Sequence, residues 1–131
     1  MILLLCGFLA SCHKETAEIE DIVVKLDGRW NIERMTYAKL GDERKVEHVV
    51  LSPEDYIDFN DSTFDVVKYV GGDLRYGSFA SVNDVAVKIH MFGDADADVY
   101  VVRFISPNAC ELESTRRGDE YDINKKIKLY R

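Results

Sequence analysis

Val85-Ala86-Val87-Lys88-Ile89-His90-Met91-Phe92 is the stretch on which the fold turns. Val85, Val87, Ile89 and Met91 fall on one side of an extended chain, and Ala86, Lys88, His90 and Phe92 on the other. Successive side chains of a strand point to opposite faces, so the spacing predicts a strand with one apolar side. Asn83-Asp84 before it and Gly93 to Asp98 after it are turn-forming, which limits the strand to hairpin length.

The same grammar repeats in both directions. Downstream, Val99 to Ile105 carries Tyr100, Val102 and Phe104 on one face, Ser106-Pro107-Asn108 breaks it, and Ala109 to Thr115 resumes. Arg116-Arg117-Gly118-Asp119 then turns into Tyr121 to Arg131, with Ile123, Ile127 and Leu129 on one side. Upstream, Leu74 to Val82 and Thr63 to Val70 read as strands around Gly71-Gly72-Asp73, and Tyr56 to Phe59 precedes the turn Asn60-Asp61-Ser62. Asp27-Gly28 opens a strand from Arg29 to Tyr37, with Trp30 and Ile32 alternating, followed by a polar loop from Leu40 to Lys45. Val46, Val49 and Val50 suit strand or helix and lean to strand. Ser52-Pro53-Glu54-Asp55 predicts one helical turn, with Ser as cap and Pro first inside.

About eight or nine short strands at hairpin spacing predict an all-β domain over residues 26–131. Antiparallel strands with short connections close naturally into an up-and-down barrel of about eight strands, which leaves no edges; an open sandwich is the alternative. Between His13 and Asp27, Ile19, Ile22, Val23 and Leu26 recur at intervals of three and four. That spacing predicts a short N-terminal helix packed on the domain, with residues 12–25 as tether and helix.

The segment before the tether has its own character. An apolar run, Met1 to Phe8, ends in Leu9-Ala10-Ser11-Cys12 and turns polar at His13. Leu, two small residues and Cys in this setting resemble the lipobox of bacterial lipoproteins. The resemblance implies a signal peptide over residues 1–11, removal of that peptide, and a diacylglyceryl group on Cys12. The run is too short to span a bilayer, which needs about 20 apolar residues. His13 stands where inner-membrane lipoproteins of some Gram-negative bacteria carry Asp, so the resemblance favours the outer membrane.

A second resemblance covers nearly all of residues 26–131. Leu26-Asp27-Gly28-Arg29-Trp30-Asn31-Ile32 is similar to the opening L-x-G-x-W-x-I of lipocalin-like bacterial lipoproteins. Phe59-Asn60-Asp61-Ser62-Thr63-Phe64 resembles their F-x-D-G-T-F hairpin, with Ser62 where Gly is usual. Gly77-Ser78-Phe79, Leu112-Glu113 and Lys126-Ile127-Lys128-Leu129-Tyr130-Arg131 also fit. The family implies a small calycin-type barrel with Trp30 plugging its closed end, and it names no ligand.

Composition narrows the function. A formal net charge of −7 argues against a nucleic-acid partner and against adsorption to anionic head groups, so any membrane attachment is expected to come from the lipid that the lipobox resemblance implies on Cys12. Cys110 is left alone once Cys6 departs and Cys12 is acylated, and it alternates with Leu112 as a small buried hydrophobe; no disulfide is expected. Asp94, Asp96 and Asp98 suggest a calcium loop, but Val99 and Ile105 stand where that loop needs Gly and Glu, so a solvated acidic hairpin is the better reading. Acidic pairs such as Glu54-Asp55 are likewise assigned to solvated turns. No metal, cofactor or catalytic residues are expected, and a Cys110–His90 pair would require the fold to unite them. The remaining candidate site is the barrel interior, with Trp30, Phe64, Phe79, Ile89, Tyr100 and Phe104 as ligand-binding candidates. Small barrels hold one small apolar or amphipathic ligand or are filled by their own side chains, in which case the outer surface would meet an unknown protein partner. Tyr100, whose hydroxyl can point inward, is the first of these candidates to test.

Overall fold

The computed structural model describes residues 21–40, 46–48, 51–117 and 122–131. Cys12, the signal segment, most of the tether, Val49, Val50 and the 118–121 turn lie outside them. Within them lie a short helix, α1 (Ile22–Leu26), and nine strands: β1 (Gly28–Leu40), β2 (Val46–His48), β3 (Tyr56–Asn60), β4 (Asp65–Val70), β5 (Asp73–Asn83), β6 (Ala86–Met91), β7 (Asp98–Ser106), β8 (Ala109–Arg116) and β9 (Asp122–Tyr130). Strands β1 and β3 to β9 pair in order, each antiparallel to the next. Strand β9 then returns to β1, from Asn31 opposite Tyr130 to Leu40 opposite Asp122. That last pairing closes an eight-stranded barrel and excludes the open sandwich. Strand β2 lies beside the second half of β1, whose first half pairs with β3.

Strand alternation sets what faces inward. Val87, Ile89 and Met91 of β6 are buried, as their spacing predicts; Val85 falls in the preceding turn and is exposed. Strand β1 needs a correction in phase. Trp30 and Ile32 point in, the ladder to β9 slips between Ile32 and Arg34, and Met35 is the next buried residue. One extra residue in the bulge moves Arg34 outside and brings Met35 and Tyr37 to the interior face. Between β4 and β5, Gly71 and Gly72 have φ of 61° and 83°, the left-handed pair that a two-residue hairpin turn requires.

One end of the barrel is sealed. Asp21 caps α1 by accepting from the Val23 N–H at 3.0 Å, and Ile22, Val23 and Leu26 bury its inner side. Trp30 is fully buried beneath, its indole N–H donating to the Leu26 carbonyl at 2.8 Å. The Arg131 guanidinium stacks on the same indole, 3.9 Å from ring to charge, and donates to the carbonyls of Asp27 and Lys25 that close the helix. Asp27 in turn accepts from the Asp61 N–H at 2.9 Å, tying the β3–β4 hairpin to the same plug.

Three expectations change here. Phe64 is not inside: the β3–β4 turn takes four residues, Phe64 ends it with a φ of 60°, and its ring is 49% exposed. Phe104 keeps the inward phase of β7 but lies at the sealed end, half-buried, with the Lys25 ammonium 5.7 Å over its ring. Residues 52–55 form a tight turn rather than a helical one, because the Asp55 side chain closes it. Asp55 is 1% exposed, not solvated. Its carboxylate accepts from the N–H groups of Ser52 (2.9 Å) and Gly71 (3.1 Å), and its carbonyl accepts from Ile32 (3.2 Å).

Candidate functional site

The end opposite the plug is open. The inward series of several strands change from apolar to charged as they approach it. Lys68 follows Val66 on β4, Arg75 precedes Gly77 and Phe79 on β5, Asp98 precedes Tyr100 and Val102 on β7, and Lys125 precedes Ile127 and Leu129 on β9. Each step of two keeps the side chain on the same face, so these four charges converge on the mouth. They enclose a cavity of about 180 Å³. Its floor is Met35, Ile57, Val66, Ile89, Met91 and Ile127; Tyr37 and Tyr100 stand between floor and rim.

The β6–β7 loop supplies counter-charges. Asp94 accepts from the Arg75 guanidinium at 2.8 Å. Asp98 accepts from Lys125 at 3.0 Å and from Arg116 at 2.6 Å. The acidic loop is therefore not merely solvated: two of its carboxylates latch onto cations that other strands aim at the mouth. Among the described residues, no three His, Cys, Asp or Glu side chains converge in a way that could hold a metal ion.

These pairs leave their mark on titration. The Arg75 hydrogen bond holds the exposed Asp94 carboxyl below its ordinary value. Burial pushes the Asp98 carboxyl up, but Lys125 and Arg116 together outweigh it and the net shift is downward. A carboxyl whose folded value is depressed stabilises the fold above its ordinary value, and that contribution fades as pH falls below it. Asp98→Asn is therefore expected to lower the urea midpoint near about pH 7, and the gap from wild type is expected to close below about pH 4. Equal gaps at both pH values would contradict this.

Lys68 differs from its neighbours. It is half-buried and has no carboxylate within ion-pair distance among the described residues. Burial lowers its affinity for a proton and the charges of Arg75 and Lys125 lower it further, while the more distant Asp94 and Asp98 offset part of this and leave the net shift downward. Tyr100 is shifted upward by burial and by the nearby Asp98 charge.

Of the candidates named from sequence, Ile89 and Tyr100 reach this cavity. Trp30 and Phe79 are buried in the packed interior, and Phe64 and Phe104 lie elsewhere, as above. Composition pointed only at apolar residues, so Lys68, Arg75 and Lys125 were missed. The available signal was a charge two residues from an inward apolar position near a strand end. Cys110 and His90 are not united. Cys110 faces the interior, where burial pushes its thiol up to about 12, and the His90 Nε2 lies on the outer side, 2.9 Å from the Asp94 carbonyl oxygen. No helix among the described residues is long and apolar enough to cross a membrane. A scan against protein-family models and a search of curated proteins both give no match, so the barrel's geometry carries the functional reading.

Proposed function

We propose that this chain is a lipocalin-like lipoprotein of the bacterial cell envelope, held in the outer membrane by lipid on Cys12, and that its barrel mouth binds a small amphipathic ligand without catalysis. The supporting observation is the contrast between the two ends. One is plugged by Trp30, α1 and Arg131; the other opens into a cavity with an apolar floor and a charged rim. Arg75 and Lys125 are paired at the rim, but Lys68 stands over the same apolar floor without an ion pair, an arrangement that costs free energy unless a ligand offsets it. An apolar floor beneath a few convergent polar groups is the usual form of a small-molecule site.

The cavity of about 180 Å³ falls below the roughly 300 Å³ at which pockets begin to enclose drug-sized ligands. That favours a small ligand, and it also supports a second reading, an interaction lipoprotein whose packed barrel carries no ligand. Native mass spectrometry of the protein purified from its own host separates them: a small-molecule adduct is expected, and a bare protein mass throughout would favour the second. The anchor is tested independently. Labelled palmitate is expected to mark the wild type and not Cys12→Ala.

A further inference from the structure

Lys68 and Arg75 are directly opposed across β4 and β5, and both face the cavity. Like charges in that relation repel and destabilise a sheet. Asp94 makes its ion pair with Arg75, at 2.8 Å, and Asp98 with Lys125 and Arg116, so both carboxylates act on Lys68 only from beyond ion-pair distance. The third loop carboxylate at the cavity, Asp96, is exposed on the loop rather than set on an inward strand face. Lys68 is thus a half-buried cation facing the cavity, flanked by two more cations and in ion-pair contact with no carboxylate among the described residues. Tyr100 adds a hydroxyl to the same cavity, and Met35, Ile57, Val66, Ile89 and Met91 supply a shallow apolar surface.

We propose that the mouth selects small organic monoanions, a carboxylate head paired with the Lys68 ammonium and hydrogen-bonded by the Tyr100 hydroxyl, with a short alkyl tail on the Met35–Met91 floor. This rests on the reading of the mouth as a binding site and assigns the sign of charge that site accepts. The missing counter-charge is supplied by the ligand, and the small volume restricts the tail rather than the head. Arg75 and Lys125, held by their own carboxylates, frame the opening and raise the local potential without neutralising the head group directly.

The test uses three probes of one length: n-hexanoate, n-hexylamine and n-hexanol. They are titrated into the protein with the methyl signals of Met35 and Met91 followed by NMR. Hexanoate is expected to bind about tenfold or more tighter than either of the others, the ordinary worth of a charge-assisted hydrogen bond. Lys68→Met keeps the aliphatic stem and is expected to erase that margin while leaving hexanol unchanged; Lys68→Arg is expected to restore it. Hexanol binding also verifies that the Met variant is folded with its cavity intact. Hexylamine or hexanol binding as tightly as hexanoate, or hexanoate indifferent to Lys68→Met, overturns the charge assignment and leaves the site standing. Failure of all three probes to move either methionine signal overturns the binding site and this inference with it.

Discussion

Trp30→Ala is expected to cost about 3–5 kcal/mol of stability, the range for emptying a fully buried indole site. The residue is enclosed by α1 above and by barrel strands around it. Its loss removes three things at once: the ring's volume, the 2.8 Å bond to the Leu26 carbonyl, and the surface on which Arg131 stacks. Trp30→Phe separates these contributions, since it keeps a ring but leaves the Leu26 carbonyl without its donor. A loss of about 1–3 kcal/mol is expected for that variant. Urea unfolding at neutral pH measures both. A Trp30→Ala loss below about 1 kcal/mol would show that the plug is dispensable and the barrel closes by strand pairing alone.

The second large effect is at Asp55. Asp55→Ala removes the buried acceptor of two part-buried N–H groups, those of Ser52 and Gly71. A hydrogen bond to a charged group is worth about 1.5–3 kcal/mol, and partial access of both donors to water softens the loss, so a total of about 2–4 kcal/mol is expected. Because Gly71 lies in the β4–β5 turn at the open end, the substitution is also expected to loosen that hairpin relative to the segment before β3. Amide exchange at Ser52 and Gly71 should quicken more than at Leu112, which sits deep in the core. Asp55→Asn retains one oxygen acceptor, and about half the loss is expected. Equal losses for Ala and Asn would mean that geometry around the backbone, rather than the acceptor pair, carries the stabilisation.

Much of the barrel was legible along the chain because local pattern and global fold agree. Val87, Ile89 and Met91, then Tyr100 and Val102, then Ile127 and Leu129 alternate as strands demand, and all are buried. Gly71-Gly72 announced a tight hairpin, and the positive φ at both residues is the reason only glycine serves well there. The misreadings have equally local causes. Phe64 looked like a strand residue because it is aromatic, but Asn60 captures the Ser62 and Thr63 N–H groups and extends the turn to include it. Asp55 looked solvated because it sits beside Glu54 and Pro53, and its partners, Gly71 and Ile32, are distant in sequence.

Alternation, turn chemistry and the apolar spacing of α1 depend on neighbours a few residues apart, so the chain's own order determined its strands, most of their hairpins and much of the apolar interior. Closure of β9 onto β1, the bulge that exchanges Arg34 for Met35, the Trp30–Arg131 plug and the ring of paired charges at the mouth were decided only in three dimensions. Each depends on the distance between groups separated by tens of residues, and one-dimensional order does not encode which charge will meet which across a closed sheet.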